Sequence, residues 1–404
     1  MALSWLSTDA RTGGVLADLP DLDVPKVSRS ICRYDSTTAV LPIPTAPEGW
    51  ELATRPGGAV MILLDSDVPI WGGMVTQRTR GSGDTLALAL ATLESYFDRR
   101  FVGDVTYAAT GQSAIVADLI TRYVATGPLG GIPIRVVQVG GAGALRDRTY
   151  LDADDKTVYS CLTELAGVIG GPEFTVEWEW QHAPERITPV LYVGARIGTP
   201  VQSGLAPTAV FDLPGCVTDA TFIEDYSGAG KASNDIMAVS TATAGTRPQS
   251  PLQIAADDGR PTFQYRYTPS TSITDVATLT ESAAQMLATI SGGSTALTLT
   301  AAVVAAPKLG TDFVLGDDVG FVLGSIEPDP RARWTPGFSD LFSDIWSDTF
   351  GGTPTGLMVK TLVNPNGRDS VPAFPGGFSG VARCYGWELT LGVTPTISPI
   401  LVAG

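Results

Sequence analysis

Several short stretches of the chain hold residue types that could do chemistry. "SGAGKAS" (Ser227–Ser233) has the Gly-Lys pair of a phosphate-binding loop. "GGAGALRD" (Gly140–Asp147) has the spaced glycines of a dinucleotide fingerprint, and "DADDK" (Asp152–Lys156) has the clustered acids of a calcium loop. Glu177 and Glu179 flank Trp178 in an alternating stretch, so both carboxylates would share one face beside aromatic rings, a pairing that glycoside hydrolysis uses.

Each motif departs from its chemistry. A phosphate loop needs glycine five places before Gly230, where Asp225 stands, and Ser or Thr after Lys231, where Ala232 stands. The dinucleotide fingerprint fails at its third glycine position, which is Arg146. The acidic cluster lacks the glycine and distal glutamate of an EF-hand and reads as acids at a helix start. Two same-face glutamates on a strand are far more often a solvated face than an acid–base pair. The sequence has one histidine, His182, and four scattered cysteines, Cys32, Cys161, Cys216 and Cys384. No zinc motif can be assembled from these, and the thiols read as buried and free. The sequence therefore predicts no catalytic residue, cofactor site or metal site, and no enzyme.

The bulk properties narrow the class further. The 404 residues can build two or three domains with real cores. Hydrophobic residues make up 44% and charged residues 17%, which excludes a disordered chain. With 26 Lys+Arg against 42 Asp+Glu the formal charge is −16, so sequence-independent binding to phosphate backbones is disfavoured. The start "MALSWLSTDARTGG" lacks a basic segment followed by an apolar run, and no window nears the ~18 apolar residues of a membrane span. A protein made in the cytoplasm, without stable membrane insertion, is expected.

The elements that would position these residues are mainly strands. Gly58–Arg80 predicts a hairpin turning at Asp65-Ser66-Asp67, and Leu86, Leu88 and Leu90 alternate in the next strand. Thr110 is the expected N-cap of a helix carrying Ile115, Leu119, Ile120 and Tyr123, which stops at Gly127. A second helix has Val158, Cys161, Leu162, Leu165, Val168 and Ile169 on one stripe, with Asp152, Asp154 and Asp155 at its positive end. Strands follow in Glu173–Gln181 and Thr188–Gly198. A third helix places Val276, Leu279, Ala283, Met286, Leu287 and Ile290 on one side. "TALTLTAAVV" and "DFVLGDDVGFVL" read as strands around a turn at Leu309-Gly310-Thr311, and the chain ends in a strand pair around Cys384-Tyr385-Gly386.

Four phrases carry a family resemblance: "DSDVPIWGGMVTQ"; the helices "SAIVADLITRYV" and "TVYSCLTELAGVIGG" leading into "FTVEWEW"; "SNDIMAVS"; and "TDFVLGDDVGFVL". With them the chain resembles the minor tail proteins, of the tail-hub or tail-associated class, of actinobacterial siphophages. These are similar in fold to the central baseplate hub of contractile-tailed phages. The resemblance implies a mainly β (α+β) fold with two β-barrel-like hub domains. The first barrel spans 1–105 and is completed by 216–245; an α/β insertion occupies 106–215. A second barrel with one helix spans 246–330, an aromatic arm 331–378, and C-terminal strands 379–404. It also implies a homotrimeric structural protein of the virion tail tip. Its partners would be the distal tail ring, other tip proteins and the tape measure protein, with genomic DNA passing through an acidic channel without specific binding. The alternative is a receptor- or cell-wall-glycan-binding tail protein, using an exposed aromatic groove at Trp178 and Trp180.

The stretch from about 327 to 378 has no counterpart in contractile-phage hubs. It contains "FSDLFSDIWSDTFGG" (Phe338–Gly352), an aromatic-Ser-Asp phrase said three times. As a helix it places Phe338, Leu341, Phe342, Ile345, Trp346 and Phe350 on one face and Asp340, Asp344 and Asp348 on the other. Asp340 and Asp348 would lie ~12 Å apart along the axis, too far to share a calcium ion. The acidic polar face does not suit anionic lipid. A ~13-residue helix of this composition is marginal alone and needs a cover for its aromatic face. The cover is the chain's own body or a neighbouring subunit, and the joints at Pro336-Gly337 and Gly351-Gly352 favour the latter. Trp334, Phe338, Phe342, Trp346 and Phe350 are the expected partner-interface residues.

Overall fold

A computed structural model describes residues 3–168, 170–202, 205–228, 232–241, 247–269, 273–324 and 377–402. The aromatic phrase, with Trp334, Phe338, Phe342, Trp346 and Phe350, lies outside the described residues. The fold is mostly β, at 46% strand and 15% helix, as expected. Two compact units divide the chain: Met1–Ala220 with Leu299–Val402, and Thr221–Thr298.

The first stretch of the large unit comprises β1 (Leu3–Asp9), β2 (Val15–Asp18), β3 (Lys26–Ser30), β4 (Ser36–Pro42), helix α1 (Trp50–Ala53), β5 (Ala59–Asp65), β6 (Val68–Arg80) and β7 (Thr85–Thr92). Six of these strands form one sheet in the order β2-β1-β5-β6-β7-β4. The predicted hairpin is β5–β6, with Ser66 left-handed at the turn. Alternation in β7 buries Leu86, Leu88 and Leu90, as expected. The Trp71-Gly72-Gly73 phrase has a packing reason. A Cβ on Gly72 would overlap the Trp178 indole, and one on Gly73 would overlap the Trp71 ring. Trp71 itself stands edge-on to Trp5 at 5.8 Å and donates from Nε1 to the Ser28 carbonyl at 3.1 Å.

Next come α2 (Glu94–Phe97), β8 (Val105–Gly111), α3 (Gln112–Leu119), β9 (Arg135–Val139), β10 (Leu145–Tyr150), α4 (Val158–Ala166), β11 (Glu173–His182) and β12 (Glu185–Gly194). β8 pairs with β10, and β11-β12-β9 is a three-stranded sheet with β9 parallel to β12. The N-cap of α3 is Gly111 and not Thr110, because β8 continues through Gly111. The Thr110 hydroxyl donates to Ala108 O instead, at 3.1 Å. Past Leu119 the helix continues as a π-helical turn, Ile120–Val124. Asp152 and Asp154 likewise do not open α4. They lie in a separate 3-10 turn that Asp155 ends in the left-handed region, and Thr157 caps α4 by accepting from Ser160 N at 3.1 Å. One continuous buried cluster joins Ile62 and Met74 of the first sheet to Ile115 and Leu119 of α3, Val158, Cys161 and Leu162 of α4, and Phe174, Trp178 and Leu191 of the hairpin.

Leaving the hairpin, the chain forms β13 (Val210–Leu213) and β14 (Val217–Asp225), and then the small unit with β15 (Asp235–Ala238), β16 (Gln253–Ile254), β17 (Gln264–Tyr267) and α5 (Val276–Ile290). That unit is a sheet β16-β15-β17 with α5 packed on Ile236 and Ala238 through Leu279 and Ala283. Asp275 caps α5 by accepting from Thr278 N at 2.9 Å. The chain then runs through β18 (Ser294–Ala302), β19 (Asp318–Leu323), β20 (Phe378–Thr390) and β21 (Thr396–Val402). These build a seven-stranded sheet, β13-β19-β20-β21-β18-β14, with β3 added to β20. β20 pairs through Phe378–Arg383 with β19 and through Gly386–Thr390 with β3. Cys384-Tyr385-Gly386 is therefore not a turn between two strands. It is a bulge inside one strand, and β21 pairs with β20 across it.

Candidate functional site: two arginine clamps and a cleft

β11 lies at the centre of a polar arrangement built from residues far apart in sequence. Its even positions, Phe174, Val176 and Trp178, enter the core, while Thr175, Glu177 and Glu179 take the other face. On β3 the same alternation sends Val27 and Arg29 inward. Arg29 is only 3% exposed. Its guanidinium donates to Glu177 Oε2 at 2.7 Å, to Thr175 Oγ1 at 2.6 Å and to the Val176 carbonyl. The buried Glu94 carboxylate, at the start of α2, lies 3.9 Å away and accepts from Val176 N at 3.0 Å. One planar fork thus ties β3, β11 and α2 together where water is excluded, one guanidinium serving two carboxylates.

A second clamp holds the start of β11. Arg383 of β20 makes a two-pronged contact with Glu173, one arm at 2.6 Å, and donates to the carbonyls of Ile197 at 2.8 Å and Gly316 at 3.2 Å. Glu173 also accepts from Ile197 N at 2.8 Å. Gly198 and Gly316, both in the left-handed region, let the two loops approach backbone to backbone, where a Cβ on either would overlap the other chain segment.

The two carboxylates of the "EWE" phrase are therefore not a plain solvated face. Glu177 is half-buried against Arg29, and Glu179 pairs with Arg135 of β9. Glycoside hydrolysis needs one carboxyl kept protonated and one free, whereas each of these is occupied by a guanidinium. Nor do the tryptophans make an exposed aromatic groove. Trp178 is buried under Gly72, and Trp180 is half-buried against the core with its ring stacked 5.4 Å from His182. The four thiols are free, as expected; three are buried and Cys32 is half-buried. Burial pushes Cys32 and Cys384 up to about 12 and Cys161 up to about 11, so none is poised as a thiolate.

Glu94 gives the arrangement a pH signature. Burial raises its pKa, and Arg29 opposes the shift only in part. The folded protein then takes up this proton at higher pH than the unfolded chain does. Stability rises as pH falls through the folded-state value and levels off below the ordinary carboxylate range. Thermal midpoints measured from neutral pH downwards should show this contribution in the native protein, and Glu94→Gln should remove it from the difference curve.

Beside the clamps the face of Thr175, Glu177 and Glu179 borders a cleft of about 410 Å³. Tyr192 and Val139 lie on the same sheet, Val68 and Pro69 come from the start of β6, and Ile197, Thr199, Val314, Leu315 and Asp317 come from the two crossed loops. No local sequence signal marks the loops as neighbours. The inward arginine on β3 was visible as a charge at an apolar alternation position, Val27-Arg29-Ile31.

No protein-family model and no curated protein matches the chain. Solved structures do. The chain is similar to the tail protein from Neisseria meningitidis MC58, with TM-score 0.54 and 13% identity over 98% of this chain and 96% of that one. It is similar to the 43 kDa tail protein of prophage MuSo2 from Shewanella oneidensis, with TM-score 0.55 and 9% identity over 99% and 98%. A chain of the half-lidded Francisella PdpA–VgrG complex also matches, with TM-score 0.50 and 7% identity over 99% of this chain and 57% of that one. The fold is that of phage tail proteins.

Proposed function

We propose that the chain is a structural component of a siphophage virion, the hub of the tail tip, acting as a homotrimer without enzymatic activity. The observation that carries this reading is the end-to-end match to two phage tail proteins. The clamps suit a part under mechanical stress: they tie β3 and β20, far apart in sequence, to the hairpin between them. A closed three-fold ring buries its heterologous interfaces with no free edge. Two barrel-like domains per subunit would present six similar surfaces to a six-fold distal tail ring. The other partners in this reading are the neighbouring tip proteins and the tape measure protein. The net charge of −16 would let DNA pass a lumen without adhering. Glycan binding by a tryptophan platform has less support, because Trp178 lies in the core.

The aromatic segment at 334–350 is the part of the chain we assign to docking on a neighbouring tip subunit. The native mass of the purified protein should be that of a trimer; a stable monomer at virion-like local concentration overturns the hub reading. Phe342→Ala with Trp346→Ala should leave the purified protein's melting transition unchanged while reducing infectious particles at least tenfold. Unfolding of the purified variant would show instead that these rings are ordinary core.

A further inference from the structure

The cleft beside β11 has two unlike walls. Glu177, Glu179 and Asp317 contribute carboxylates, and Val68, Pro69 and Leu315 contribute apolar surface. Arg29 and Arg135 answer the first two carboxylates. Asp317 has no cation among the described residues; its oxygens accept only from backbone N–H groups, Thr199 at 2.6 Å and Val314 at 2.9 Å. Those bonds fix the carboxylate on the crossed loops but leave its charge uncompensated. The cleft therefore has an excess of one negative charge over its matched pairs.

We infer that this cleft receives a lysine or arginine side chain from an extended segment of a partner protein. A long cationic side chain fits both walls at once: its methylenes lie on Val68, Pro69 and Leu315, and its head group reaches the carboxylates. An acidic chain of −16 further attracts a basic segment and orients its approach. A neutral apolar side chain would cover Asp317 without answering its charge. The inference rests on the reading of the chain as an assembly protein, since it names the chemistry of one partner. The trimer mass and the aromatic segment test that reading separately.

The test uses the full chain and three acetylated, amidated peptides, Ala-Leu-Arg-Leu-Ala and its Gln and Glu counterparts, with binding followed by titration calorimetry. The Arg peptide should bind at least tenfold tighter than the Gln peptide, and raising salt from 0.05 to 0.5 M should weaken it severalfold. Glu179→Gln, on the exposed rim, should weaken binding three- to tenfold, and Val314→Trp, which fills the cleft, should abolish it. Both positions are partly exposed, so circular dichroism should confirm that the variants fold. Equal binding of Arg and Gln peptides, or full binding by a folded Val314→Trp variant, overturns the proposal. So does binding of chitotriose to the same cleft with no response to the Arg peptide, which would make it a sugar site.

Discussion

Replacing Arg29 by Met will destabilise the large unit by about 3–5 kcal/mol, the range for breaking a buried ion pair from one side. The magnitude follows from what is left behind. Glu94 would remain inside the protein without its guanidinium, Glu177 would lose its partner, and Thr175 and the Val176 carbonyl would each lose a donor. Arg135→Met is the control. Its ion pair with Glu179 is largely exposed, and such pairs are worth about 0–1 kcal/mol. Denaturant midpoints of the two variants should therefore differ widely although each removes one arginine–glutamate pair from β11. Equal, small losses would show that the buried clamp contributes nothing beyond a surface pair.

The second large effect lies on the opposite face of the same strand. Trp178→Ala should cost about 3–5 kcal/mol by opening a cavity in the main core. Gly72→Ala should cost about 1–3 kcal/mol, because its methyl group would enter the space of the indole. The double variant should cost less than the two single losses combined, since the cavity left by the indole accepts the methyl. Additive losses in urea unfolding would show that Gly72 and Trp178 do not constrain each other.

This pairing also shows what the sequence made legible. Periodicity marked β7, α4 and β11 because each buries one face against something, and a buried face imprints its period whatever the partner is, while β5 and β6 showed as apolar runs about a turn. The phrase Trp71-Gly72-Gly73 could be quoted as a tail-protein signature, but its reason, an indole arriving from Trp178, has no local trace. The clamps were hidden for the same reason: Arg29 with Glu177, and Arg383 with Glu173, are set by topology rather than spacing. Boundaries slipped where a competing local structure won. Gly111 extended β8 past the expected cap at Thr110, and a 3-10 turn claimed Asp152 and Asp154. The bulge at Cys384–Gly386 looked like a turn because a bulge uses the same small residue to bend a strand. The "EWE" phrase displayed its carboxylates but not the arginines that occupy them.

The shared edge of β20 bears on how the protein is made. Its first half holds β19 and its second half holds β3, so Ser30 waits for Gly386 while all the intervening chain is made. Pairing at such separation is slow, and translation supplies the chain at only about 5–20 residues per second. Until β20 emerges from the ribosome, Arg29 has no completed sheet behind it. A product truncated before β20 cannot close the large unit at all. Closure of the large unit thereby depends on β20 reaching β3 and β19 after both have been made.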